Sequence, residues 1–154
     1  MAKKRGMVKK RLSLDGFSQA GLATRRKYLG DKWLDAALDN MTEFSREWQK
    51  HATNAVWAGS WTRGVLEKRE LSLINLAMLA ALNRMAEFEL HFRVAVTTTK
   101  VPLVKIRELL NHIVVYCGAP VGVEMFAIAK KIMAEEGIDP NDLPPVRQVD
   151  GKKR

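Results

Sequence analysis

The feature that most narrows what this chain can fold into is a periodicity. From Phe17 to Glu136 apolar residues recur at helical spacing, and the breaks between runs carry helix caps instead of strand signals. The first helix should run from about Phe17 to Leu29 and stop at Gly30, and a short one follows from Asp31, a good N-cap, to about Leu38. Met41 to Trp57 then places Met41, Phe44, Trp48, Ala52 and Ala55 on one stripe, with Glu43, Glu47, Lys50 and Asn54 largely outside it. Gly59 ends that helix, and Ser60–Val65 forms a link. The segment Glu67 to Leu82 is apolar almost all round and reads as a buried central helix. Met85 to Thr98 follows, then a turn at Lys100–Pro102, a helix from Leu103 to Cys117 closed by Gly118, and a last helix from Pro120 to Gly137. Neither a strand–helix alternation nor a repeat is present, so the fold class is all-α.

Length and charge bound the rest. A chain of 154 residues with 47% hydrophobic residues supports a single packed domain, expected over 15–138. It is flanked by a basic, flexible N-terminal tail (1–14) and a Pro-rich basic C-terminal tail (139–154) expected to be extended or disordered. The net charge of +9 sits in the ends: residues 1–11 contribute +6, residues 147–154 contribute +3, and the body between is neutral. A fold that grips phosphates needs a basic face on its body, so nucleic acid is not the expected partner. The longest apolar run, Ile113 to Val123, is too short to cross a bilayer, and no apolar stretch follows the basic N-terminus as in a secretory leader. A cytoplasmic protein is expected. One cysteine, Cys117, excludes an internal disulfide, a four-Cys zinc site and a CxxC redox pair, and should be an inert buried thiol.

The segment AEFELHFRVAV carries the chemistry. On a helix, Glu89 and Arg93 form an i,i+4 pair of favourable polarity on a solvent face. Glu87 and His91 are also i,i+4 but lie nearly opposite, flanked by Leu90, Val94, Phe88 and Ala95. A carboxyl and an imidazole should then point inward together, where burial raises the carboxyl pKa and a neighbouring imidazolium lowers it. That pairing suits proton transfer near neutral pH, and it equally suits a structural hydrogen bond. His51 and His112 have no acid at ligand spacing, so no metal site is expected and both read as packing residues. Trp33, Trp48, Trp57 and Trp61 read as core or subunit-interface anchors. No phosphate-cradling glycine loop or dinucleotide fingerprint occurs.

The order of motifs over residues 21–136 resembles the carboxymuconolactone decarboxylases, small helical proteins of the AhpD-like fold. The resemblance is carried by Arg25-Arg26 with Leu29-Gly30, Thr42-Glu43-Phe44 with Glu47, and Trp57 with Trp61-Thr62-Arg63. It continues through Arg69 with Ser72-Leu73, the turn ending at Arg84, the Glu87/His91 pair, and Tyr116, Gly118 and Pro120. It implies a bundle of about six to seven helices that forms trimers or hexamers. It also implies cofactor-free decarboxylation of a carboxylated lactone in protocatechuate catabolism. The AhpD-type peroxidases carry a CxxC where this chain has Arg84 and Glu87, so thiol peroxidase chemistry is not implied, and the alternative is a non-catalytic or redox-accessory oligomer. Within the resemblance, His91 is the proton donor with Glu87 orienting it or sharing the proton. Arg63, with Arg25 or Arg26, anchors substrate carboxylates through guanidinium forks, and Tyr116 donates a hydrogen bond or packs. The chain differs from the family pattern at Thr97-Thr98-Thr99 (usually Asn-Asn-Gly), at Gly64 (usually Pro), and at Leu71, next to the Ser72-Leu73 pair, where a basic residue is displaced.

Overall fold

The computed structural model describes residues 11–144; the expectations for the basic ends at 1–10 and 145–154 lie outside the described residues. Among the described residues every regular element is helical. The order is α1 (Gln19–Leu29), α2 (Asp31–Asp39), α3 (Glu43–His51), a π-helical stretch (Ala52–Ala58), α4 (Lys68–Ala81), α5 (Met85–Thr97), α6 (Leu103–Cys117) and α7 (Ala119–Glu135). By its internal contacts the chain divides into two compact units, Met1–Lys68 and Arg69–Arg154.

In the first unit, α1 packs against the π-helical stretch and α2. Ser18 caps α1 by accepting from the Gly21 amide at 3.1 Å, and its own amide donates to Asn54 Oδ1 at 2.7 Å, which ties the helix start to the π stretch. The two backbones approach so closely at Gly21 that a Cβ there would lie 2.3 Å from the Thr53 carbonyl oxygen. The sequence pattern read Met41 to Trp57 as one helix; the structure begins it at Glu43 and widens its register at Ala52. Thr42 and Ser45 form a reciprocal capping box that fixes the start. At the change of register the Thr53 hydroxyl donates to the Gln49 carbonyl at 2.8 Å, competing with the α-helical ladder. Tyr28, Trp57 and Trp61 cluster with ring centroids 4.7–6.2 Å apart, and all three are buried. The α3 stripe is a different matter. No residue of α3 is buried, and Phe44 (99% exposed) and Trp48 (63%) present their rings outward.

The second unit packs α5 and α6 against α7 around an apolar core that includes Leu76, Phe88, Phe92, Leu110, Met125 and Ile132. The expectation that α4 is buried all round is corrected: Ser72, Leu76 and Ala80 are buried, while Ile74, Met78 and Leu82 are exposed, one stripe in and one stripe out. Gly118 (φ 90°) turns the chain between α6 and α7 where an L side chain is strained, and Pro120 enters α7 in its first turn. The Thr97-Thr98-Thr99 departure also gains an account. Thr99 is buried, its hydroxyl lies 2.9 Å from that of Ser72, and its carbonyl accepts from Arg69 Nε at 3.2 Å, so the end of α5 is clipped to the start of α4.

One expectation on α5 is revised. Glu89 and Arg93 do not pair with each other. Glu89 accepts from Lys131 at 2.6 Å, and Arg93 bridges Glu135 and Glu136, because the last turns of α7 offer both partners of opposite sign. Residues 138–144 are placed against the unit: the Asn141 amide donates to Asp139 Oδ1 and Arg107 Nη1 donates to the Pro144 carbonyl at 3.0 Å.

Candidate functional site

The candidate acid and imidazole lie on the first two turns of α5. Arg84 is the N-cap of that helix and Glu87 sits in its first turn, where the free amides and the helix dipole favour negative charge. The Glu87 side chain is 43% exposed, and Arg84 grips it with both forks, Nη2 to Oε1 at 2.5 Å and Nε to Oε2 at 3.3 Å. The Arg84 hydrogen bond, helped by Glu87's own backbone amide, holds this carboxyl below the usual carboxylate range. The expectation of an inward-pointing carboxyl is thereby corrected: Arg84 draws Glu87 outward and favours its ionised form.

His91 is partly buried one turn further along, with Nδ1 out of solvent contact. Burial pushes its pKa down from the ordinary histidine value, and the Glu87 charge opposes that push only in part. The resting pair at neutral pH is therefore a carboxylate beside a neutral imidazole. Arg84 is the residue that sequence reasoning passed over as a turn; its i,i+3 spacing to Glu87 at a helix start was the available signal.

Tyr116 stands near the end of α6, 77% exposed, its ring tilted against His112 at 4.8 Å. The three arginines belong to the first unit and differ sharply. Arg26 is held by Asp31 at 2.7 Å and Asp35 at 2.9 Å, which raises its pKa. Arg25, its neighbour, is only 4% exposed and has no carboxylate partner among the described residues; it donates to Gln49 Oε1 at 2.8 Å and Thr53 Oγ1 at 3.3 Å and lies over the Trp33 ring. Desolvation lowers its pKa. Arg63 is exposed in the turn after the π stretch and forms no ion pair among the described residues. Cys117 is a free thiol and only partly buried. No three His, Cys, Asp or Glu side chains gather at metal-ligand spacing among the described residues. No described helix is long and apolar enough to cross a membrane.

The described residues form only helices, and residues 43–131 match the model of the carboxymuconolactone decarboxylase family. The chain belongs to that family and is a carboxy-lyase of that kind. It is 30% identical over 120 residues to 4-carboxymuconolactone decarboxylase of Acinetobacter baylyi, covering 78% of this chain and 89% of that one. It is 32% identical over 111 residues to a nitrosuccinic acid decarboxylase of Metarhizium robertsii, covering 72% and 77% respectively.

Proposed function

We propose that this protein decarboxylates 4-carboxymuconolactone, or a closely related lactone, without a cofactor, as a step in aromatic catabolism through the β-ketoadipate route. The observation that carries the reading is the neutral, largely desolvated His91 one turn from the ionised Glu87 in a chain of this family. In the reaction the bond between the ring γ-carbon and its carboxylate breaks. The electron pair passes through the ring double bond to the lactone carbonyl oxygen, CO2 leaves, and a proton is added at the α-carbon. The substrate is its own electron sink.

His91 is the proton donor. A neutral imidazole is a poor acid, but an arriving dianion adds negative charge beside Glu87 and favours the imidazolium. Glu87, fixed by Arg84, keeps its charge throughout and raises the basicity of His91, so it acts as a positioning and charge-setting group. Arg63 anchors a substrate carboxylate, a role that its exposure and its lack of an ion pair among the described residues support. Arg25 and Arg26 have the same role with less support, since burial limits access to the first and two aspartates occupy the second. Tyr116 donates to the substrate or packs beside it.

The relative acting on nitrosuccinic acid bears on substrate choice. A nitro group, like an unsaturated lactone, accepts the electron pair left by a departing carboxylate, so the shared requirement is an acid with an adjacent electron sink. The exposed stripes Phe44–Trp48 and Ile74–Met78–Leu82 support assembly into a homo-oligomer. The test is spectrophotometric turnover of carboxymuconolactone and nitrosuccinate by the purified protein. His91→Ala should lower kcat by about 10²–10⁴-fold with the fold retained by circular dichroism. Full activity in that variant would remove His91 from the reaction, and turnover of nitrosuccinate alone would replace the lactone.

A further inference from the structure

An apolar hollow of the second unit has neither Glu87 nor His91 in its wall. It lies under the segment that follows α7, holds about 240 Å³, and is walled by Phe92, Leu110, Ala129, Met133 and Leu143 with Arg107 among them. Arg107 is the one charged residue in this wall. A void of this size forfeits dispersion contacts that a packed core would have. A smaller apolar cavity of roughly 150 Å³ stays dry and admits benzene. One substituted six-membered ring therefore fits here.

We propose that this cavity is a second binding site, separate from the reaction site, for a small apolar molecule carrying one negative charge, in chemical class a monocyclic aryl carboxylate, with Arg107 binding the anion. The lining selects the apolar body, and the guanidinium selects the charge. Arg107 spends Nε on Glu108 at 2.8 Å and one Nη1 hydrogen on the Pro144 carbonyl at 3.0 Å, while Nη2 makes no hydrogen bond among the described residues. Glu108 is the more exposed of that pair, so water screens it, whereas Arg107 borders the low-dielectric hollow where a charge contact strengthens. The cover is built for release. Residues 138–144 carry no helix, turn through the Asp139–Asn141 bond, place Pro140 and Leu143 in the wall, and are fastened by the Arg107–Pro144 contact. An anion arriving at Arg107 competes with that fastening.

The experiment is titration calorimetry of the full chain with 4-ethylbenzoate and its uncharged counterpart 4-ethylbenzamide. Saturable one-to-one binding of the benzoate is expected, weakened about tenfold by Arg107→Gln, with the benzamide unaffected by that change. Ala129→Phe, which fills the hollow, should abolish binding of both, its fold being checked by circular dichroism. Should that variant not fold, the contrast between the two probes in Arg107→Gln decides alone. His91→Ala should bind as the parent does. No binding at millimolar probe, or binding indifferent to Arg107→Gln, overturns the proposal. So does binding lost in His91→Ala, which assigns the probe to the reaction site, and so does a chain ending at Pro144 that binds ten times tighter, which assigns the hollow to the protein's own last residues.

Discussion

Helices α3 and α5 both carry apolar residues at helical spacing, yet they use them in opposite ways. α5 buries its apolar residues: Phe88, Phe92 and Ala95 are shut into the second unit's core, and the same helix carries the half-exposed Glu87 and the largely desolvated His91. α3 buries nothing, and its aromatic stripe faces outward. The lesson is that an apolar stripe records a need for cover and does not say who supplies it. On α5 the cover is α7 of the same unit. On α3 we read the cover as a second copy of the chain.

The comparison can be broken most forcefully at the core. Phe88→Ala should cost about 3–5 kcal/mol in urea unfolding, since a fully buried ring leaves a cavity. A loss below ~1 kcal/mol would show that α5 is not the better-covered helix. Next in size is Gly21→Ala, where the new Cβ meets the Thr53 carbonyl and the π stretch must shift; about 1–3 kcal/mol is expected in the same assay. The paired change Phe44→Ser with Trp48→Ser should move folding free energy per chain by only about 0.5 kcal/mol, because exposed positions rarely matter more. It should nevertheless shift sedimentation to a smaller species, and an unchanged sedimentation coefficient would leave α3 without a partner.

The smallest effect concerns the charge on α5. If the imidazolium delivers the proton, kcat/KM falls as pH rises through the pKa of His91, which lies below the ordinary value of about 6.5. Glu87→Gln removes the charge that raises this pKa, so the limb should move to lower pH. Arg84→Gln should move it the other way, because Glu87 then keeps its full charge with no guanidinium to offset it. Two shifts in the same direction would discard the assigned roles.

Much of this was legible beforehand. Gly30, Asn83–Arg84 and Gly118 mark breaks that the structure keeps, and each of the seven α-helices among the described residues starts within two residues of the position read from pattern and caps. What failed to transmit was the direction of side chains. Glu87 read as inward because its flanks are apolar, yet its place in the first turn and Arg84 three residues earlier draw it into the open. Glu89 and Arg93 fit a local pair, and α7 outbid each of them.

The amino-acid order by itself determined the all-helical class, the punctuation of the helices and the one-turn spacing of Glu87 and His91, since caps, glycines and periodicity act over a few residues. Only the tertiary structure decided which stripes are covered, which arginine keeps an acid and which is buried without one, and that His91 rests neutral. Those outcomes depend on desolvation and on partners brought in from distant parts of the chain, and neither is set by local spacing.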